Sequence, residues 1–232
     1  MESKIFAVIG ASKGIGLALT KKLAEKNFRV FATYSKTAPG FNHPNVIWKQ
    51  HDVLSGNPLE LPDSLNGLAY CPGNISLKPF NRFSSEDFHS DYQLQVIGAI
   101  ESIQAALPAL KKCEQSSIVL FSTVAVQQGL PFHSLVSASK GAIEGLTKAL
   151  AAEFAPKIRV NAIAPSLTNT PLAENLLNTD AKREANAARH PLKRFGEPSD
   201  ISNMAKFLLA DESSWISGQI IHVDGGISSL RV

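Results

Sequence analysis

The chain has 232 residues, 44% apolar and 19% charged, a balance that suits a globular protein with a substantial core. Its formal charge of +3 is small and dispersed, and no basic run carries interleaved aromatics, so no nucleic-acid partner is expected. No apolar run reaches membrane-spanning length, and the chain enters a strand-like run at Ile5 without a charged-then-apolar leader, so the expected setting is cytoplasmic with no membrane partner.

Residues 4–10 open with the continuous apolar run Ile5-Phe6-Ala7-Val8-Ile9, which suits a strand covered on both faces. A glycine-rich turn follows, then helical spacing over 15–27 and strand-like runs at 29–33 and 46–51. Between Asp52 and Leu68, Pro58 and Pro62 leave room for a loop or one short turn rather than a full crossover helix. A strand at 68–71 precedes a helix over 84–112, and a strand at 117–122 precedes a helix over 134–154. After a strand at 158–164 comes a proline-bounded, mixed polar and apolar stretch. It reads as a mobile helical flap at 170–190, inside a substrate-lid segment at 166–197. A helix at 199–211 and a strand at 219–223 complete the chain. Strands alternating with helices predict an α/β fold, one doubly wound parallel sheet spanning 1–232 without an internal linker. Cys71 and Cys113 have neither metal nor redox spacing and read as reduced and structural, so no metal site is expected.

The turn Gly10-Ala11-Ser12-Lys13-Gly14-Ile15-Gly16 lies between the first strand and the first helix, the context that makes a glycine pattern informative. Gly10 makes the tight turn, Gly14 lets a pyrophosphate approach the backbone, and Gly16 lets the helix pack on the strand. The phosphates would then face free N–H groups at the helix N-terminus.

The spacing G-x-x-x-G-x-G resembles that of the short-chain dehydrogenase/reductase family. The resemblance continues through Asp52, Ser137-Ala138-Ser139-Lys140, Ile158-Arg159-Val160-Asn161-Ala162-Ile163-Ala164-Pro165, Pro191-Leu192-Lys193-Arg194-Phe195-Gly196-Glu197-Pro198, Ser217-Gly218-Gln219 and Asp224-Gly225-Gly226. It implies a Rossmann-type NAD(P)-binding domain with a seven-stranded parallel sheet, and oxidoreductase activity on a small-molecule substrate. It also implies cofactor contacts at Gly10, Ser12, Lys13, Gly14, Ile15, Gly16, Asp52 at the adenine edge, Val53, Gly73, Lys140 at the nicotinamide ribose, Pro165, and Thr168 with Thr170 at the carboxamide. Family members pair long helices into homodimers or homotetramers, here 84–112 and 134–154. The small residues Ala138, Gly141, Ala142, Gly145 and Ala149 allow close approach there, and equally suit packing on the sheet.

Charge argues for NADP(H) over NAD(H). The position at the end of the second strand, where an acid would hold a ribose 2′-hydroxyl and repel a 2′-phosphate, is Tyr34. Lys13, Ser35 and Lys36 are placed to receive a phosphate through charge-assisted hydrogen bonds, although Lys36 alone reads equally well as a solvated loop lysine.

The catalytic positions depart from the family. Its Asn, Ser, Tyr and Lys become Gln95, Thr123, Val136 and Lys140, so the acid–base tyrosine is replaced by a side chain that cannot move a proton. Tyr70-Cys71-Pro72-Gly73 stands where Asn-Asn-Ala-Gly is common, and Pro165-Ser166 where Pro-Gly is common. His133 lies seven residues before Lys140, on roughly the same helical face. Some enoyl reductases of this superfamily place their tyrosine at that spacing, which makes His133 a candidate general acid beside the plainer reading of an exposed histidine at a helix start. Two functions remain: a reductase of a small carbonyl or activated alkene with an atypical proton donor, and a catalytically inactive dinucleotide-binding regulator or scaffold.

Overall fold

The computed structural model describes residues 3–231. Its strands are β1 (Ile5–Ile9), β2 (Arg29–Tyr34), β3 (Val46–Gln50), β4 (Gly67–Tyr70), β5 (Ser116–Phe121), β6 (Ile158–Pro165) and β7 (Ile220–Val223). They form one seven-stranded sheet in the order β3-β2-β1-β4-β5-β6-β7, with every pairing parallel. The helices are α1 (Gly14–Glu25), α2 (Ser85–Tyr92), α3 (Gly98–Lys111), the short α4 (Ala125–Gln128), α5 (Ser134–Phe154), α6 (Glu174–Leu177), α7 (Asp180–Arg189) and α8 (Pro198–Leu209). The α/β, doubly wound, seven-stranded expectation is met.

Alternation along β1 shows how the sheet is covered. Phe6 and Val8 join Leu19 and Leu23 of α1 and Ile201, Ala205 and Leu208 of α8 on one face, while Ala7 and Ile9 join Ile103 and Leu110 of α3 and Ile143 of α5 on the other. Successive side chains of a strand point to opposite faces, so a continuously apolar run needs a core on both. No helix crosses between β3 and β4. The coil instead buries Leu65 completely and packs Leu59 and Leu61 on the α3/α5 face, doing the work of a crossover helix with three leucines.

The helix expected over 84–112 is present, running without a gap from Ser85 to Lys111, with a π turn at Gln93–Ile97 between α2 and α3 that the sequence does not announce. Tyr70 from β4 meets that turn, its hydroxyl donating to the Leu94 carbonyl at 2.6 Å. A Cβ on Gly98 would lie 2.4 Å from that hydroxyl, so only glycine admits the tyrosine there. π turns widen the helix and re-aim its side chains, here those of Gln95 and its neighbours. The segment between β6 and α8 is helical as expected, with a 3-10 turn at Pro171–Ala173 followed by α6 and α7.

Chain order reverses across the sheet between β1 and β4: β2 and β3 extend one way, β5 to β7 the other. The crevice at the carboxyl ends of strands beside such a reversal is where doubly wound folds bind ligands.

Candidate active site

The glycine turn leaves β1 at that crevice. The Gly10 amide donates to Thr33 Oγ1 at 3.0 Å and the Ala11 amide to the Thr33 carbonyl at 2.7 Å, tying the turn to β2. Gly14 opens α1 at φ +53°, in the left-handed region that favours glycine. A Cβ on Gly16 would stand 2.4 Å from the Gly10 carbonyl oxygen, so α1 packs on the turn only with glycine there. Lys13 at the head of α1 makes no side-chain cap, and no acid occupies the first turn, which leaves the first amides and the positive helix end to an anion. This cradle fits the pyrophosphate of a dinucleotide. Thr170 closes over it, its Cγ2 lying 3.2 Å from where a Cβ of Gly14 would be.

Beyond β2 and β3, Ser35 and Asp52 line one groove, where the sequence resemblance expects the adenosine. Asp52 Oδ1 accepts from the Leu54 amide at 3.1 Å, which fixes its carboxylate at the strand end. Lys13 and Lys36 are exposed. Val53 packs against the Gly98 region of α3 rather than facing the groove.

At the other end the crevice deepens into a cavity of about 260 Å³. Ile15, Gly73, Pro165, Thr168 and Thr170 line it from the cofactor set, and Gln95, Thr123, His133 and Lys140 from the catalytic set. Tertiary structure therefore brings these nine predicted residues to one space. Gly10 and Gly14 of the cradle adjoin its lining residues Pro72 and Thr170, whereas Ser12, Lys13 and Gly16 are not in its wall and Ser35, Lys36, Asp52 and Val53 lie apart from it. Leu172 and Leu176 of the 166–197 segment cover it.

Lys140 is buried, and burial pushes its amine down to about 8, opposed by the nearby Asp91 carboxylate. Asp91, itself buried, accepts from Gln95 Nε2 at 2.8 and 2.9 Å and from Ser139 Oγ at 2.6 Å. Gln95 thus commits its amide nitrogen to Asp91, and among the described residues Oε1 has no hydrogen-bond partner. That oxygen lies 3.4 Å, and Lys140 Nζ 3.9 Å, from where a Cβ of Gly73 would stand. An unpaired buried acceptor and a buried amine converge on the one position without a side chain, which fits a ribose hydroxyl or a water. Sequence reading missed Asp91 and Ser139. The available signal was Asp91 four residues before Gln95, one helical turn away.

Val136 lines the cavity and is 4% exposed, so an isopropyl group, which cannot move a proton, forms part of the wall. No tyrosine among the described residues lines this cavity. Tyr92 is exposed on α2, and Tyr70 is committed to the Leu94 carbonyl, its phenol pushed up by burial. The Cys71 thiol, also at the wall, is pushed up to about 12 by burial and stays protonated. His133 is half-buried at the head of α5, with Nδ1 2.7 Å from the Pro131 carbonyl oxygen. A second histidine, His190, was not singled out in the sequence. It is buried at the end of α7, with Nε2 2.8 Å from Ser166 Oγ and Nδ1 2.7 Å from the Asn186 carbonyl oxygen.

Comparison with known proteins agrees with this geometry. Residues 61–228 match the family model described as enoyl-(acyl carrier protein) reductase. A tropinone reductase homolog of Arabidopsis thaliana is 38% identical over 253 residues, covering 98% of this chain and 92% of the relative. The ligand-free aldohexose dehydrogenase of Thermoplasma acidophilum superposes with a TM-score of 0.89 at 27% identity, covering 99% of this chain and 96% of that one. ElxO, solved with NADP bound, shares the fold at a TM-score of 0.88 and 22% identity, over 99% and 100% of the two chains. Relatives of this kind are oxidoreductases that bind nicotinamide dinucleotides, and by the extent of the family match and of the identity this chain belongs to the short-chain dehydrogenase/reductase family.

Proposed function

We propose that the protein is an NADP(H)-dependent oxidoreductase that reduces a small carbonyl or activated alkene, with a proton donor other than residue 136. The observation that carries this reading is the continuity of the site: the glycine cradle leads through Thr170 and Ile15 into the cavity that holds Lys140, Thr123 and Gln95. The nicotinamide supplies a hydride when bound. Lys140 with Gln95 Oε1 holds the ribose, Gly73, Pro165, Thr168 and Thr170 wall the nicotinamide, and the Thr123 hydroxyl polarises the substrate carbonyl. His133 faces the same space as a candidate acid. Preference for the 2′-phosphate rests on Lys13, Ser35 and Lys36, with Tyr34 in place of an acid at the end of β2. The 166–197 segment acts as the substrate lid, its leucines excluding water from the reacting centre.

Assembly as a homodimer or homotetramer in the cytoplasm belongs to the same reading. Ala138, Gly145 and Ala149 are exposed at positions sharing one face of α5, where a partner helix can approach closely.

Fluorescence titration tests the cofactor: NADPH should bind more tightly than NADH, and equal affinities would refute the preference. Oxidation of NADPH in the presence of ketones, quinones and enones, against Lys140→Ala, tests catalysis. Tight NADPH binding with no turnover above that control would instead support a non-catalytic regulator, the function that Val136 by itself would favour.

A further inference from the structure

We infer that Ser166, backed by His190, donates the proton that residue 136 cannot. The inference rests on the reductase reading and names the missing group in it. Three observations carry it.

The first is the pair itself. Ser166 Oγ and His190 Nε2 are 2.8 Å apart, and His190 Nδ1 is 2.7 Å from the Asn186 carbonyl oxygen. A carbonyl can only accept, so Nδ1 carries a hydrogen in both charge states of the ring. In the neutral imidazole Nε2 is therefore bare and accepts from the serine. In the imidazolium both nitrogens donate, and the serine hydrogen is released toward the cavity. The ring is oriented by one partner and coupled to a hydroxyl through the other, the arrangement that activates a serine as a proton carrier.

The second observation is position. Ser166 directly follows β6, and the Val124 amide next to Thr123 donates to the Pro165 carbonyl at 3.1 Å. The hydroxyl-bearing residues Thr123 and Ser166 thus stand at the ends of neighbouring strands. Both line the cavity that Val136 and Lys140 share, so a substrate bound there has access to both residues. His133 enters the same cavity from the head of α5, and among the described residues its ring is coupled to no second side chain.

The third is a route for resupply. His190 is 3% exposed, yet with Ser166 it also lines a second cleft, whose walls do not include Lys140. The charged groups of that cleft are already engaged: Arg194 pairs with Asp200 at 2.6 and 2.9 Å, and Asp224 accepts from the Gly226 and Ser228 amides. Arg189, beside His190 at the end of α7, lines the main cavity. Water in the second cleft can return a proton to the imidazole.

The step balances. The carbonyl carbon takes the hydride of the reduced dinucleotide and its oxygen takes the Ser166 proton. The Nε2 proton passes to Ser166 Oγ, and the neutral imidazole regains a proton from the bulk acid of the solvent, relayed by water, so that one proton is consumed per turnover. The product is an alcohol and the oxidised dinucleotide.

The test uses the full chain with NADPH and two probes, 9,10-phenanthrenequinone and 4-nitrobenzaldehyde. Ser166→Ala should lower kcat about 10²- to 10⁴-fold while NADPH affinity, read by fluorescence, stays within about twofold. Ser166→Thr should retain most of the activity, and adding Val136→Tyr to Ser166→Ala should recover part of it. His190→Gln should behave as Ser166→Ala does. Ser166→Ala turnover within about threefold of the parent would overturn the assignment, and a large loss in His133→Ala alone would give the role to His133. If the parent chain binds NADPH and reduces neither these probes nor any compound of the ketone, quinone and enone panel, the reductase reading has failed and the donor assignment falls with it. A readout without turnover is the 15N NMR spectrum of His190 in the free protein. The neutral ring should carry its proton on Nδ1 with Nε2 bare, and an Nε2-protonated neutral ring would refute the relay.

Discussion

The two ends of the crevice differ in what they keep. At the cofactor end, Gly10, Gly14 and Gly16 retain the family's spacing and each is held by geometry, down to the 2.4 Å approach between a Cβ on Gly16 and the Gly10 carbonyl. At the reaction end, Gln95, Thr123, Val136, Cys71 and Ser166, the positions that the sequence resemblance sets apart from the family's pattern, line one cavity with Lys140. The contrast has a physical cause. A phosphate cradle is built from backbone, and only glycine leaves room for it, whereas a reaction end is built from side chains that can be exchanged without moving the sheet.

The strongest attempt to break this comparison is Lys140→Met. If the reaction end still works on substrate, turnover should fall about 10²- to 10³-fold, the cost of removing one positioned donor. Unchanged turnover in the steady state would detach Lys140 from the chemistry. Gly16→Ala attacks the other end. Its methyl must displace the Gly10 carbonyl, so thermal unfolding should show a loss of about 1–3 kcal/mol together with weaker NADPH binding. Full retention of both would show the cradle to be more pliant than its geometry. Lys13→Ala should narrow the NADPH-over-NADH preference by about tenfold in fluorescence titration, the weight of one exposed charge-assisted bond, and leave NADH affinity almost unchanged.

The last prediction concerns pH. Because burial lowers the Lys140 amine from 10.5 to about 8, the unfolded chain holds a proton between those values that the folded chain has released. This group's contribution to stability should therefore rise with pH across that window, and Lys140→Met should remove the rise from a pH series of thermal melts. In Asp91→Asn the opposing carboxylate is gone, so the amine, followed by NMR of 13Cε-labelled lysine, should titrate lower still. A higher titration there would show that Asp91 is not the group that holds the proton on Lys140.

Much of the fold was legible because it is local. Seven apolar runs, the glycine turn and the proline-interrupted 52–68 coil all declare themselves within short windows, and the strands appear within a residue or two of where the pattern puts them. The π turn was not legible. Nothing in 84–112 marks it, since its cause is Tyr70, more than twenty residues earlier and reaching the Leu94 carbonyl from another element. In the site, Lys140, Thr123 and Gln95 could be found by spacing. Asp91 offered only its place four residues before Gln95, since its neighbours Ser90 and Tyr92 in the last turn of α2 give no sign of burial, and only the packing of α2 against α5 buries it beside Ser139 and Gln95.

What the sequence determined by itself was the family, the alternation of strands and helices, the anion cradle and the absence of a tyrosine four residues before Lys140. These depend on periodicity, on backbone freedom and on residue identity, all of which are written along the chain. Only the tertiary structure decided which polar groups meet: Ser166 with His190, Asp91 with Ser139, Gln95 Oε1 with Lys140 around Gly73. Partners 24 or 48 residues apart become neighbours only when the sheet lines up strand ends and the helices return across it. In a buried space such meetings decide which groups hold protons and which are free to give them.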